Sequence, residues 1–174
     1  FEVIDVIRNI YPGQDMVLCR VEHPVVEKAG IISGMSGSPF YVVKEGGEES
    51  LMGALAYGWR FNKEPIAGIT PAEQMKEGAV TGSIPPEGAG DTTAITPLSA
   101  PLVVAGATPG RFAQIEKLLK PLGFMPVQGG AEGEEGERLG RKLQPGDAVG
   151  VRLLAGDMDW TATGTVTWVD DDQV

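Results

Sequence analysis

A serine set between glycines on a short polar stretch carries the most chemistry in this sequence. Gly34-Met35-Ser36-Gly37-Ser38-Pro39 has the spacing Gly-x-Ser-Gly-x-Pro. A serine hydroxyl is a weak nucleophile, and it attacks a carbonyl only from an exposed, tightly turned loop with a base beside it. Flanking glycines permit unusual backbone angles and let another chain come close. In such a loop the amides of Gly34 and Ser36 can both point at one developing oxyanion. Losing one donor of that kind costs about 3–4 kcal/mol of barrier. Taken alone, the hexapeptide fits equally well a Gly/Ser-rich turn between two strands.

Other residues with reactive side chains are few. His23 is the only histidine, thirteen positions before Ser36. Three roles are open to it: a partly exposed turn residue before Pro24, an orienting partner within a triad, or the base itself. Cys19 is the only cysteine, so no internal disulfide forms, and a small core residue is its simplest role. Asp170-Asp171-Asp172 lacks the glycine and glutamate spacing of a calcium loop and reads as a hairpin tip. One histidine, one cysteine and scattered acids make no metal cluster, so no cofactor is expected.

The elements that must position Ser36 are strands. Phe1 to Ile10 and Met16 to Val21 read as two strands joined by a Pro-Gly turn, and His23-Pro24 breaks the second. After the serine loop come Phe40-Tyr41-Val42-Val43, a hairpin tip over Lys44–Ser50, and the strand Leu51 to Trp59. Ile66 to Thr70 is a further strand and Pro71 to Glu77 a short helix.

This order, nucleophile loop, hairpin, a Gly-containing strand before an aromatic, one more strand and a helix, resembles the end of a trypsin-like domain. The letters Gly34-Met35-Ser36-Gly37-Ser38-Pro39 resemble more narrowly the SpoIVB-type serine peptidases. Phe1–Val6, Met16-Val17-Leu18, Gly53-Ala54 and Glu64–Pro71 extend the likeness over about the first 77 residues. A second block, Leu143 to Asp147 with Thr163 to Val169, resembles the family segment that leads into a Gly-His motif. The resemblance implies Ser36 as nucleophile, Gly34 and Ser36 amides as oxyanion hole, and Ala56-Tyr57-Gly58 pairing with an extended substrate. It also implies that His23 stands where sporulation members carry the orienting Asp, and that their base comes from the Gly-His motif. In those members the second block precedes the serine; here it follows.

The rest of the chain divides by composition. Gly78, Gly82, Pro85, Pro86, Gly88 and Gly90 mark a connector, giving units at 1–77 and 95–174 joined by residues 78–94. Ile95 to Val104, with Pro97 and Pro101, reads as an interrupted or edge strand. Phe112, Ile115, Leu118, Leu119 and Leu122 recur at helical spacing on one apolar face of Arg111–Leu122. Glu132 to Glu137 lies in a glycine-rich acidic stretch that reads as a solvated loop. Ala148–Leu154 and Thr161–Val169 read as strands.

The expected fold is mainly β: two small antiparallel β-barrels in trypsin-like style with two short helices, circularly exchanged and incomplete at both ends. A net charge of −10 and no basic cluster argue against a nucleic-acid partner, and no apolar run approaches the roughly 20 residues of a membrane span. The resemblance implies a serine endopeptidase acting on protein or peptide substrates in an extracytoplasmic space. A catalytically silent peptide-binding or structural domain of the same fold, and an autoprocessed fragment, are the alternatives. Phe1 already stands inside a strand pattern, and Val174 falls short of the expected Gly-His. The expectation is therefore a piece of a longer protein, completed by another fragment or a larger assembly and with little activity alone.

Overall fold

The structure is a computed structural model and describes residues 1–59, 64–76, 95–129 and 141–170. Its elements run β1 (Glu2–Tyr11), β2 (Gln14–Arg20), α1 (Pro24–Ala29), β3 (Pro39–Val43), β4 (Glu49–Trp59), β5 (Ile66–Pro71) and α2 (Ala72–Lys76). Then come β6 (Ile95–Pro97), β7 (Ala100–Ala105), α3 (Pro109–Leu119), a 3-10 turn (Lys120–Leu122), β8 (Phe124–Gln128), β9 (Ala148–Leu154) and β10 (Asp159–Thr165). The chain is mainly β, as its alternating apolar pattern predicts. Among the described residues, no helix is long and apolar enough to cross a membrane.

Two sheets carry the strands. The first has the order β1-β2-β5-β4-β3, with β6 paired to β4; the second has the order β8-β7-β10-β9. Neither closes into the barrel that the sequence suggests. The second sheet is also mixed, because β7 and β8 pair parallel. Parallel neighbours need a long crossover, and α3 provides it.

Alternation sets the cores. In β5, Ala67 and Ile69 are fully buried and join Cys19 and Leu55 in the first core, with Val17, Ile31, Met35 and Phe40 packed around them. In β7, Leu102 and Val104 point inward while Val103 is exposed. They meet Leu119, Phe112 and Ile115 of α3 and Trp160 of β10 in the second core. The apolar face expected on α3 is narrower than the sequence suggests. Leu118 and Leu122 are 65 % and 51 % exposed, because only one side of the helix meets the sheet.

β4 is the strand on which the site is built. β5 pairs along one edge of it, from Gly53 to Gly58. β3 takes residues 49–54 and β6 residues 57–59, so these two share the other edge and leave a gap between them. Residues 95–97, assigned by composition to the second unit, thus belong to the first sheet, and the crossing between sheets falls between Pro97 and Ala100. The connector over 78–94 and the stretch Glu132–Glu137 both lie outside the described residues.

Candidate active site

The gap on the edge of β4 holds the serine loop. The Gly37 amide donates to the Leu55 carbonyl at 2.8 Å, and the Leu55 amide donates to the Ser38 carbonyl at 2.9 Å. These two bonds fasten the loop to β4 where the strand passes from β3 to β6. The loop turns on itself through Met35 N–H to the Ile32 carbonyl (3.2 Å) and Ser38 N–H to the Met35 carbonyl (3.1 Å). Gly34 and Gly37 have φ of 95° and 88°, the left-handed region that glycine enters without a Cβ penalty.

The bonding leaves a pattern. The amides of Met35, Gly37 and Ser38 are all used inside the protein. Among the described residues, no acceptor is bonded to the amides of Gly34 and Ser36. These are the two donors that the sequence nominates for an oxyanion. Two unbonded amides, two residues apart on a loop with left-handed glycines, are the kind of donors from which an oxyanion site is built.

The two serines differ in the same way. Ser38 Oγ donates to the Met35 carbonyl at 2.7 Å, so it braces the turn. Ser36 is half-buried, and its hydroxyl has no hydrogen-bond partner among the described residues. Ser36 is therefore the serine whose hydroxyl is uncommitted.

His23 is engaged elsewhere. It is exposed and extended (φ −152°, ψ 132°), and its Nδ1 accepts the Val25 amide at 3.2 Å. It is the N-cap of α1, with Pro24 at the first helical position, where a missing N–H costs nothing. No hydrogen bond joins it to Ser36. Its ring lines an apolar cleft of about 430 Å³ with Phe1, Met35, Ser38 and Phe40, and Ser36 is not on that wall. Of the three roles open to His23, the observed bonding is that of a structural cap; base and orienting contacts are not formed.

Ala56, Tyr57 and Gly58, the residues expected to pair with substrate, do lie beside the serine loop on the edge of β4. That edge is already paired. Tyr57 faces Pro97, Gly58 faces Thr96 and Trp59 faces Ile95, and Leu98 N–H donates to the Ala56 carbonyl at 2.8 Å. Burial raises the Tyr57 phenol pKa, with the nearby Tyr11 adding to the shift.

The second sheet supports the loop from behind. Thr167, just beyond β10, donates its hydroxyl to the Gly37 carbonyl at 2.6 Å. A Cβ on Gly37 would collide with the carbonyl oxygen of Thr165. So the residue after the candidate nucleophile is clamped between β4 and the end of β10. Among the described residues, no group of three His, Cys, Asp or Glu is placed to hold a metal ion.

Two features escape a reading of the sequence. α1 is one, although its signals are present: a polar residue before Pro24 and a glycine, Gly30, after the last turn. The pairing of β6 with β4 is the other, and nothing local announces it. Comparison of the chain with protein-family models, with curated proteins and with solved structures finds no match.

Proposed function

We propose that this chain is the nucleophile-bearing domain of a serine endopeptidase acting on protein or peptide substrates. One observation carries the reading: the uncommitted Ser36 hydroxyl lies within Gly34–Pro39, where the amides of Gly34 and Ser36 have no acceptor among the described residues. Ser36 Oγ would attack the scissile carbonyl while its proton passes to a base. The oxyanion of the tetrahedral intermediate would be held by the two amides. The protonated base gives that proton to the leaving nitrogen as the intermediate collapses to the acyl-serine and the free amine, and water, deprotonated by the same base, then hydrolyses the acyl-serine.

The base in this proposal is not His23, whose Nδ1 is occupied at the start of α1. It comes from a histidine outside these 174 residues, as the likeness to SpoIVB-type peptidases implies, and the extracytoplasmic setting rests on the same likeness. The commitment of His23 to α1 also favours a second reading, a domain that binds peptides without turnover.

A fluorophosphonate probe applied to the intact protein separates the two. The label is expected on Ser36, absent in Ser36→Ala and retained in Ser38→Ala. Label on another residue, or equal labelling of Ser36→Ala, refutes the nucleophile assignment. No label at all leaves the binding domain as the function.

A further inference from the structure

The strand expected to receive a substrate already holds a piece of its own chain in the position a substrate would take. We infer that residues 95–99 are an intramolecular ligand of the substrate cleft. We further infer that the pocket filled by Leu98 selects a leucine-sized aliphatic side chain on the amino side of the scissile bond. The inference rests on the peptidase reading for the word substrate; the occupancy itself rests on geometry alone.

The pairing is that of an added strand. β6 runs antiparallel to Tyr57–Trp59, the Thr96 hydroxyl donates to the Gly58 carbonyl at 3.4 Å, and the Leu98 amide to the Ala56 carbonyl at 2.8 Å. Main-chain bonds of this kind supply affinity in β-strand addition, and side-chain pockets supply selectivity. The place along β4 matters most. Leu55 is bonded to Gly37 and Ser38 of the serine loop, and the next residue, Ala56, is bonded to Leu98. The Leu98 backbone therefore sits one strand position from the loop that carries Ser36. Three residues later, the Pro101 ring comes within 3.5 Å of the point where a Cβ of Gly34 would stand. Between Leu98 and Pro101 the chain passes from the pairing edge to one of the two oxyanion-hole residues. An extended peptide offering its carbonyl to Ser36 must follow that route.

The side chain of Leu98 identifies the pocket. It packs on the first core, and its Cδ2 lies 3.2 Å from the position a Cβ on Gly58 would take, as does Ile31 Cγ2. Beside it, Leu98 itself, Thr96, Pro97 and Ser99 line an open cleft of about 330 Å³ together with residues 29–33, Gly58 and Trp59. Among the described residues, no charged residue lines it. The immediate neighbours of the Leu98 side chain, Ile31 and the first core, offer nothing to hold an ionised side chain, which loses its hydration on entry. Selection by such a wall is by size and polarity.

The test uses the 174-residue chain and a fluorescein-labelled peptide, Ile-Thr-Pro-Leu-Ser, read by anisotropy. In Leu98→Gly the pocket loses its occupant, and in Leu98→Asp a carboxylate must leave it, so both variants open the cleft. Each is expected to bind the peptide at least about 30-fold more tightly than the unaltered chain. Each should also prefer it by about 10- to 100-fold over the same peptide with Ala or Asp in place of Leu. Binding no tighter than that of the unaltered chain, in variants with an unchanged circular dichroism spectrum, overturns the occupancy. Equal binding of the Leu and Asp peptides overturns the selectivity. Should neither variant fold, amide exchange of the unaltered chain decides: Leu98 N–H protected like the β5 amides supports the inference, and unprotected exchange refutes it. The peptidase reading fails separately. Peptide binding persists in Ser36→Ala/Leu98→Gly if the cleft is as described, whereas failure of Ser36 to take a fluorophosphonate in the intact protein removes the chemistry and leaves the cleft.

Discussion

Gly37→Ala tests whether the serine loop is held by the second sheet. Two costs and one loss follow from the geometry. A non-glycine residue at φ 88° carries about 1–2 kcal/mol of backbone strain. The new methyl meets the Thr165 carbonyl, which as backbone cannot rotate away, and overpacking of this kind costs about 1–3 kcal/mol. Movement to relieve it stretches the 2.6 Å bond from Thr167 to the Gly37 carbonyl, worth about 1 kcal/mol. The sum is about 3–6 kcal/mol. Gly13→Ala is the control, since Gly13 has φ 73° with nothing within 4 Å of a Cβ, and strain of about 1–2 kcal/mol is all it carries. Urea unfolding followed by circular dichroism gives both values, and their difference isolates the contact with β10. The same variant should slow fluorophosphonate labelling of Ser36 in the intact protein by about 100-fold, because a loop shift misaligns an oxyanion donor. If Gly37→Ala costs no more than Gly13→Ala and labels at the normal rate, the clamp on the serine loop is refuted.

Three further outcomes are expected. His23→Ala should cost about 0.5–1 kcal/mol by removing the α1 cap, His23→Asn should restore it, and both should keep fluorophosphonate labelling of Ser36 in the intact protein; loss of label in both would return His23 to the base. Burial pushes the Cys19 thiol up to about 11, so it should resist Ellman's reagent in the folded protein at pH 8 and react once urea unfolds the chain; fast reaction without denaturant would contradict its burial. The Arg141 guanidinium, in a two-pronged pair at 2.7 Å, together with the Gln144 amide holds the Asp147 carboxyl down at about 2, below its ordinary 3.8. A lowered carboxyl stabilises the folded turn above the ordinary value and loses that contribution as pH falls toward 2. An NMR titration should show Asp147 moving up toward 3.8 in Arg141→Ala, and an unchanged midpoint would show the pair idle.

What the sequence settles here is local. A glycine two before Ser36 and another directly after it permit a left-handed turn at those positions, and Gly34 and Gly37 adopt one. The runs Ile66–Thr70 and Ile95–Val104 read as strands, but both are apolar nearly throughout, so which side chains of β5 and β7 face inward is decided by packing. Helical spacing finds α3. The tertiary structure decides who pairs with whom. Period-two alternation specifies a face but not a neighbour, so it leaves open that Ala56–Trp59 meets residues 95–98, about forty positions on. It also leaves open that β7 and β8 run parallel and that the sheets stay open. His23 shows the same division at one side chain. Its distance from Ser36 in sequence permits a triad, but the unpaired amides at the start of α1 are nearer acceptor-seekers, and Val25 takes the ring nitrogen. Thr167 lies 130 residues from Gly37 along the chain, and only the packing of the two sheets brings its hydroxyl to the loop.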